Sequence, residues 1–581
     1  MMAEQRYRWK NKQIRDHVAV LNHKKSPSIV LKNARYLHSV FKKWLTGNIW
    51  ILDDRIVYVG EAMPENIQGC EIVDCSSYTL VPGYIEPHVH PFQLYNPQSF
   101  SQYASQTGTT TFINDNLMLV LLLGKKKAFS LLGELKKLPV TMYWWSRFDS
   151  QTELSNEETV FSPGEVKAWI EHEDVVQGGE LTCWPKLLAG DDLILHWIQE
   201  TKKAKKKIEG HFPGASEMTL AKMALLGADC DHEAMNGKEI YDRLMQGYMV
   251  SLRHSSIRPD LPVLLKDMRE MGIDQYDSMF FNTDGSTPGF YEDGVLDRVI
   301  KMAIEEGIPP IDAYHMASYH VAKYYGFQHL HGMIATGRIA NINLLEDENN
   351  PTPVSVISKG KWIMRDGELV EDMQEISWAE HGFSPLSFNW DLTMDDLQFS
   401  MPFGIEMVND VITKPYSITM DVAIDELPMN HDESFLMLLD RNGEWRINTL
   451  VKGFADSVRG FASSFSNTGD IILIGKCKKD MLLAFKRMKE LGGGIVLTEN
   501  EQVLHEIPLV LSGVMSEKEM PQLIEEEKTL KRLLKERGYP FGDPVYSLLF
   551  FSSTHLPYIR ITPRGMYDVM KKTVLFPTIM R

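Results

Sequence analysis

The chain has 581 residues, of which 44% are hydrophobic, and carries a formal net charge of −17 at pH 7. This length predicts about two to four domains, and the negative charge argues against nucleic acid or an anionic membrane surface as the main partner. The five cysteines show no metal-binding spacing and the basic N-terminus lacks an apolar core, which predicts a cytoplasmic protein without a membrane span.

Two separate stretches of the chain have the sequence pattern of short β-strands. After a charged N-terminal extension (1–27), residues 28–84 contain apolar and alternating runs, with a predicted hairpin turn at Asp53-Asp54. Residues 335–375 contain a second set of small strands with an Asp366-Gly367 turn. Neither set is large enough to bury a sheet face by itself. We therefore expect the two stretches to form one small composite β domain.

The insert between them, residues 85–334, alternates strand-like apolar runs with amphipathic helix-like segments. That alternation is typical of a (β/α)8 barrel of about 250 residues, whose active site gathers at the C-terminal ends of the strands. Residues 376–581 again mix strand-like and helical segments and predict a C-terminal α/β domain. The predicted fold is thus α/β, with a (β/α)8 barrel inserted in a small β domain and followed by a C-terminal α/β domain.

The first chemical signal stands at the start of the predicted barrel. A turn at Pro82-Gly83 precedes a short apolar run that ends in His88-Val-His90, and Pro91 stops the strand. Side chains at i and i+2 of a strand point to the same face. His88 and His90 can therefore offer two imidazoles to one metal ion.

Four more polar residues follow at intervals that suit successive barrel strands. Each comes at the end of a short apolar or small-residue stretch: Glu180, His211, His232 and Asp284. Taken singly, each could be a helix cap or a buried core histidine. Six such residues at barrel-like spacing predict one site instead. Imidazoles with carboxylates suit Mn²⁺, Fe²⁺ or Zn²⁺ without any thiol.

These motifs resemble those of the bacterial adenine deaminase family, within the amidohydrolase superfamily, and the likeness extends from residue 28 to the C-terminus. The stretches that carry the resemblance are Val81-Pro-Gly-Tyr-Ile-Glu-Pro-His-Val-His, Gln177-Gly-Gly-Glu, Glu209-Gly-His-Phe-Pro-Gly, Cys230-Asp-His-Glu, Asn282-Thr-Asp-Gly, Gly492-Gly-Gly-Gly-Ile-Val-Leu and Leu511-Ser-Gly-Val-Met-Ser. The resemblance implies hydrolysis of adenine to hypoxanthine and ammonia, in purine salvage, by a cytoplasmic homodimer. The resemblance also implies that the protein binds a small-molecule purine and neither nucleic acid nor a membrane.

The same resemblance implies roles for the site residues. The six would hold a binuclear metal centre, with manganese expected and Fe²⁺ or Zn²⁺ also possible, and with Glu180 as the bridging carboxylate: His88, His90, Glu180, His211, His232 and Asp284. Asp284 would take the proton of the attacking water and pass it to the leaving amine. Glu233 would protonate the ring nitrogen or, alternatively, orient the neighbouring His232.

The chain also departs from that family in two places. Where the family has His-Asp-Ser-His-Asn, residues 462–471 have no histidine and leave Ser466, Asn467 and Thr468 as the polar groups. Where the family commonly has two aspartates, this chain has Asp284-Gly285. Two alternatives therefore stay open. The protein could be an amidohydrolase for another aminated or cyclic-amide heterocycle, or a metalloprotein that has lost catalysis.

Overall fold

The computed structural model describes residues 10–370, 374–429 and 431–581. Residues 1–9 of the predicted N-terminal extension, residues 371–373 of the predicted β domain and residue 430 lie outside the described residues. The extension includes helix α1 (Asn11–Leu21), which contacts the third strand and buries Val20. In the described ranges, no helix is long and apolar enough to cross a membrane.

The chain then forms five strands of a first sheet. These are β1 (Ile29–His38), β2 (Lys43–Leu52), β3 (Arg55–Gly60), β4 (Glu71–Asp74) and β5 (Thr79–Pro82). The turn between β2 and β3 falls at Asp53-Asp54, where Asp53 has a φ of 52°. This left-handed conformation suits a tight hairpin turn and is tolerated by aspartate.

The central part alternates strands and helices, as the sequence predicts. Its strands are β6 (Tyr84–Val89), β7 (Thr109–Asn114), β8 (Thr141–Ser146), β9 (Val175–Leu181), β10 (Lys207–Gly210), β11 (Cys230–Asp231), β12 (Met249–Arg253) and β13 (Met279–Asn282). Its helices are α2 (Pro97–Gln106), α3 (Leu117–Leu122), α4 (Lys125–Leu135), α5 (Glu157–Val160), α6 (Pro163–Glu171), α7 (Trp184–Leu188), α8 (Asp192–Lys203), α9 (Glu217–Leu226), α10 (Gly237–Met245), α11 (Leu261–Glu270), α12 (Leu296–Glu305), α13 (Pro310–Met316) and α14 (Tyr319–Tyr324), with a 3₁₀ turn at Pro288–Tyr291.

The eight central strands form a nearly closed parallel barrel, which confirms the predicted fold class. Neighbouring strands pair in chain order from β6 to β13, and a bridge between Val89 and Asp284 joins the last strand to the first. The strands are almost wholly buried, since helices cover their outer faces. Their C-terminal ends share one face of the barrel, which is where such folds carry their sites.

After the barrel the chain returns to the first sheet. Four strands are added there: β14 (Ile342–Leu345), β15 (Ser355–Ser358), β16 (Lys361–Arg365) and β17 (Glu368–Leu369). Strand β14 pairs with β5 in antiparallel orientation, so the two stretches separated in sequence by the barrel form one nine-stranded sheet. Isoleucines and leucines from both stretches share a buried cluster.

The C-terminal part is richer in strands than in helices. Its elements are 3₁₀ turns at Trp378–His381 and Met394–Leu397, strands β18 (Phe403–Met407), β19 (Thr413–Ser417), β20 (Glu433–Leu439), β21 (Trp445–Lys452), β22 (Gly460–Ser463), β23 (Ile471–Gly475), β24 (Gly494–Glu499), β25 (Gln502–Pro508), β26 (Ile559–Thr562), β27 (Gly565–Asp568), β28 (Thr573–Pro577) and β29 (Ile579–Met580), and helices α15 (Lys478–Leu491), α16 (Met520–Glu536) and α17 (Pro544–Phe550). They form a nine-stranded and a three-stranded sheet.

This C-terminal domain packs directly on the barrel. One hydrophobic cluster runs from Val89 and Phe92 at the barrel mouth to Leu548 in α17 and Leu438 in β20. Hydrogen bonds join the two parts as well, including one from the Asn96 side chain to a backbone carbonyl of the C-terminal domain. The domain therefore covers the face of the barrel at which the strands end.

Candidate metal centre and adjoining cavity

The six residues predicted as metal ligands lie together at the C-terminal face of the barrel. They come from the ends of five strands, where the parallel arrangement brings their side chains to one place: His88, His90, Glu180, His211, His232 and Asp284. Apart from His88 and His90, which share one strand, each of these residues comes from a different strand. The barrel therefore brings these residues together.

The first half of the cluster is built on the first and last strands. His88 Nε2 and His90 Nε2 face each other at 3.3 Å. Asp284 Oδ1 lies 3.5 Å from His88 Nε2 and 3.1 Å from His90 Nε2. The bridge that closes the barrel at Asp284 explains why this carboxylate meets the two histidines.

Glu180 connects this half to a second one. Its Oε2 is 3.8 Å from His90 Nε2, whereas its Oε1 is 2.5 Å from His211 Nδ1 and 3.4 Å from His232 Nε2. His211 Nδ1 and His232 Nε2 in turn face each other at 3.3 Å. One carboxylate with an oxygen toward each half has the geometry expected of a bridging ligand.

Two buried carboxylates behind the cluster orient its histidines. Asp115 Oδ2 lies 2.9 Å from His90 Nδ1, and Glu209 Oε1 lies 3.1 Å from His232 Nδ1. A proton held on Nδ1 by a carboxylate leaves the lone pair of Nε2 free to bind a metal. Both Nε2 atoms point into the cluster.

The cluster is short of positive charge. Burial lowers the pKa of His90, but hydrogen bonds to Asp115 and Asp284 outweigh burial and raise this pKa to about 9. The pKa of His232 is likewise raised well above its usual value, because bonds to Glu180, Glu209 and Glu233 outweigh the effect of burial. Bound metal cations would balance the negative charge of these carboxylates as well as protonated histidines do.

The donor atoms fit divalent metal ions. Ligand atoms of three overlapping groups lie within 4.8 Å of one another: His88 with His90 and Glu180, His88 with Glu209 and His232, and Glu180 with His211 and His232. His88 Nδ1 is buried without a hydrogen-bond partner among the described residues. Nitrogen and oxygen donors of this kind suit Mn²⁺, Fe²⁺ and Zn²⁺.

Arginines keep the surrounding carboxylates ionised. Arg147 pairs with Asp115 at 2.7 Å and with Glu180 at 2.8 Å. Burial raises the pKa of Asp115, but Arg147 and His90 together hold this pKa well below its usual range. A buried charge that lacked such a partner would be strongly destabilising.

Glu233 is held in the same way. Arg253 Nη1 lies 2.6 Å and Arg258 Nη1 lies 2.5 Å from its carboxylate oxygens. Burial raises its pKa, but Arg253, His211 and His232 outweigh that effect and lower the pKa well below the usual value. A carboxylate kept ionised can accept a hydrogen bond but has no proton to donate. Contacts with two arginines and two histidines are those expected of an orienting residue, and both roles of Glu233 stay predictions.

Sequence reasoning missed several residues of this site. They are charged side chains that support the cluster: Asp115, Arg147, Glu209, Arg253 and Arg258. A local signal existed, since four of them stand in a barrel strand or directly after one: Asp115, Arg147, Glu209 and Arg253. Nothing in the local pattern indicated which charge would meet which.

A cavity of about 660 Å³ opens beside the cluster. The barrel forms one wall with His90, Glu180, His211 and Asp284 among its residues. The C-terminal domain forms the other wall with three segments, at residues 409–412, 465–467 and 546–557. Any small molecule that reaches the cluster therefore contacts both domains.

Residues 462–471, the altered segment, were expected to present three polar groups. Only one of the three faces this cavity. Asn467 lines it, and its Nδ2 is buried without a hydrogen-bond partner among the described residues. The Ser466 hydroxyl donates to the backbone carbonyl of Asp470 at 2.7 Å, and the Thr468 hydroxyl donates to the Asp470 carboxylate at 2.5 Å. The expectation for Ser466 and Thr468 is corrected, because both hydroxyls close the turn instead.

Two further polar groups from the C-terminal domain reach the cavity. The His555 ring is edge-on to the His211 ring, with centroids 5.5 Å apart, and its buried Nδ1 has no partner among the described residues. Burial lowers the pKa of His555 to about 3, so its imidazole is neutral. Tyr546 also lines the cavity, and burial raises the pKa of its phenol well above the usual value. His555 thus brings an imidazole to the cavity from outside residues 462–471.

Comparison with known protein families gives a match for the barrel region and another for the C-terminal domain. Residues 79–363 match the amidohydrolase family, and residues 410–573 match the adenine deaminase C-terminal domain. The chain is 57% identical to a putative adenine deaminase of Bacillus cereus, over 100% of this chain and 98% of the relative. It is 50% identical to a putative adenine deaminase of Oceanobacillus iheyensis, over 99% of both chains.

The same bacterium has a more distant relative. An adenine deaminase of Oceanobacillus iheyensis is 26% identical, over 96% of this chain and 97% of the relative. Among solved structures, a beta-aspartyl dipeptidase of Fervidobacterium islandicum AW-1 is 17% identical and covers 60% of this chain and 99% of its own, with a TM-score of 0.45.

Proposed function

The chain belongs to the amidohydrolase family and carries the adenine deaminase C-terminal domain, and from this premise we propose that it hydrolyses adenine to hypoxanthine and ammonia. The observation that carries the proposal is the cluster of the six predicted ligands beside a cavity of about 660 Å³, in a chain so similar to putative adenine deaminases over its whole length. The cavity has ample room for one purine ring and has neutral hydrogen-bonding groups in its wall.

The amidohydrolase family is metal-dependent, and the proposed cofactor is a pair of Mn²⁺ ions, although Fe²⁺ and Zn²⁺ fit the same donors. His88, His90 and Asp284 would hold one ion, His211 and His232 the other, and Glu180 would bridge them. When bound, the ions supply the positive charge that lowers the pKa of a water molecule into the neutral range.

Asp284 is the proposed proton carrier. Its Oδ2 pairs with Arg253 Nη1 at 2.8 Å, which orients the carboxylate, while its Oδ1 faces His88 and His90. The carboxylate takes a proton from the attacking water as the new O–C6 bond forms. It then returns that proton to the exocyclic nitrogen, so that the C6–N bond breaks and ammonia leaves.

Glu233 is proposed to orient rather than to protonate. Its Oε1 is 3.4 Å from His211 Nδ1 and 3.3 Å from His232 Nε2, and two arginines hold it ionised. The proposed reaction is one of purine salvage, and the family resemblance supports a cytoplasmic homodimer that acts on a small-molecule purine.

Ammonia release tests the proposal. Protein reconstituted with Mn²⁺ is incubated with purines, pterins and pyrimidines that carry an exocyclic amine, and with cyclic amides assayed for ring opening. We expect release from adenine and none after treatment with a chelator. Turnover of a different ring, with none of adenine, would favour the alternative amidohydrolase. Fully metallated protein that turns over nothing would favour the non-catalytic metalloprotein.

A further inference from the structure

One arginine of the C-terminal domain is buried without an ion-pair partner. Arg560 lies in β26 and is 0% exposed. Burial lowers its pKa to about 9, and no carboxylate of the described residues raises it again. The guanidinium is therefore charged at neutral pH. Since a buried charge is destabilising unless other groups compensate it, the compensation must come from the groups that its N–H donors contact.

Three backbone carbonyls supply that compensation. Arg560 Nη1 donates to the Phe550 carbonyl at 2.8 Å, and Nη2 donates to the carbonyls of Val411 and Pro557 at 3.0 and 3.2 Å. Phe550 is the last residue of α17, and a cation is favourable at the negative end of a helix dipole. All three carbonyl residues line the cavity. One planar guanidinium thus joins two of the three segments of the C-terminal wall.

The loop that follows α17, residues 551–557, is also tied to the barrel. The Thr152 hydroxyl donates to the Ser552 carbonyl at 2.6 Å, and the Thr554 backbone N–H donates to a second barrel carbonyl at 2.8 Å. Arg560 binds the carbonyl just before this loop and the one at its end. We call residues 551–557 the wall loop. Its ends are held by Arg560, and its middle is held by the barrel.

The wall loop presents side chains of different kinds to the cavity. Ser553, His555 and Leu556 line it, and the His555 ring lies edge-on to the His211 ring with centroids 5.5 Å apart. Apolar lining with a few placed polar groups is what fixes the orientation of a small ligand. A shift of the wall loop would therefore change which ligand fits.

The proposed reaction defines which part of a purine meets this wall. C6 must face the predicted metal centre, which belongs to the barrel wall, so positions 2, 8 and 9 of the ring extend into the rest of the cavity. The C-terminal domain forms the other wall there. In a closely fitted pocket, one additional methyl group changes kcat/KM by about 10- to 200-fold. The wall can therefore discriminate between rings that share the same reacting carbon.

We propose that Arg560 is a positioning residue that sets the ring selectivity of the cavity, because it holds residues 409–412 and the wall loop at a fixed distance from each other. This inference rests on the proposed function, since it takes a purine as the ligand. Arg560 acts through the residues that it holds. The planar fork of a guanidinium can bind several carbonyls at once, whereas the ammonium of a lysine is a compact charge on a flexible stem.

The test compares adenine with its 2-methyl, 8-methyl and 9-methyl derivatives. The selectivity ratio is kcat/KM for adenine divided by kcat/KM for the derivative that wild-type protein rejects most, and we expect it to be about tenfold or more. Because both values come from one preparation, the ratio does not depend on the folded fraction. Arg560→Met should lower the ratio severalfold and raise KM for adenine, with kcat and metal content little changed. Equal use of all four purines by wild-type protein, or a wild-type ratio in folded Arg560→Met, would overturn the proposal.

Two further variants keep the test decisive if Arg560→Met does not fold. Arg560→Lys retains the charge but not the planar fork, and Thr152→Val removes the hydroxyl that ties the wall loop to the barrel. Both should lower the selectivity ratio in the same direction. A wild-type ratio in both variants contradicts the proposal.

Arg338→Met is the matched control. Arg338 also donates to two backbone carbonyls, those of Gln328 at 3.3 Å and Thr336 at 2.9 Å, and burial lowers its pKa. It does not line the cavity. Its variant should lose thermal stability and keep the wild-type ratio. If the ratio falls equally in Arg338→Met and Arg560→Met, selectivity follows general destabilisation and the role of Arg560 is refuted.

This inference and the proposed function can fail separately. If wild-type protein releases no ammonia from adenine, the proposed function fails. Dissociation constants for the four purines, which are then measurable by calorimetry without turnover, replace kcat/KM in the ratio and still decide the role of Arg560. If wild-type protein binds none of the four purines, both proposals are overturned.

Discussion

The two walls of the cavity are built on opposite principles. On the barrel side, each carboxylate of the cluster has a histidine or an arginine beside it, as Asp115 has His90 and Arg147. On the C-terminal side, Asn467 Nδ2 and His555 Nδ1 have no hydrogen-bond partner among the described residues, and Tyr546 lines the same cavity. Buried charges must be paired to persist, whereas a neutral group left open is unfavourable by only about 1–3 kcal/mol. The barrel wall therefore carries the paired charges beside the cluster, and the C-terminal wall offers neutral groups that can bind a ligand.

The largest effect should come from the barrel wall. His88→Ala removes a nitrogen ligand from a cluster in which His88 Nε2 faces both His90 and Asp284. We expect activity to be abolished and bound metal, measured by elemental analysis, to fall. Normal turnover by fully metallated His88→Ala protein would refute its role as a ligand.

Asp284→Asn should have the next largest effect. The amide keeps the shape of the side chain and can still meet His90, but it cannot accept a proton from water. We expect kcat to fall by about 10²–10⁴-fold, compared at equal metal content. A variant that keeps wild-type kcat under those conditions would show that another group carries the proton.

Asp115→Asn tests the buried carboxylates that orient the predicted histidine ligands. Loss of this charge unpairs the buried Arg147 and weakens the bond that orients His90. We expect metal affinity to fall about 10- to 100-fold, measured by competition with a chelator. Asp242→Asn, which breaks a surface pair with Lys238, is the control and should leave metal affinity unchanged. An equal response of the two variants would contradict the orienting role of Asp115.

The smallest effect should come from the C-terminal wall. Asn467→Ala removes the open amide, so KM for the true substrate should rise, by at most about tenfold for one neutral hydrogen bond, with little change in kcat. Thr468→Ala in the same turn loses only its bond to Asp470 and should leave KM unchanged. If KM rises equally in both variants, the turn matters through its shape and not through the amide.

Local patterns were enough to predict the six residues that the barrel brings together. His88-Val-His90 follows a Pro-Gly turn and an apolar strand, and the period of two residues places both imidazoles on one face. Glu180, His211, His232 and Asp284 also stand at strand ends, where the C-terminal face of a barrel collects them. The spacing of such residues follows from the barrel itself, so it is visible in the chain before any contact is known.

Contacts over long sequence distances were decided only by the tertiary structure. Arg147 meets Asp115 across neighbouring strands, and Tyr546 meets Gly285 across a domain boundary and 261 positions of sequence. The altered segment illustrates the same limit, since Ser466 and Thr468 turn inward to Asp470 while Asn467 alone faces the cavity. The sequence by itself determined which residues meet at the end of the barrel, because hydrophobic periodicity is local. Packing of the C-terminal domain on the barrel decided which side chains meet a ligand, because that choice depends on where two distant surfaces come into contact.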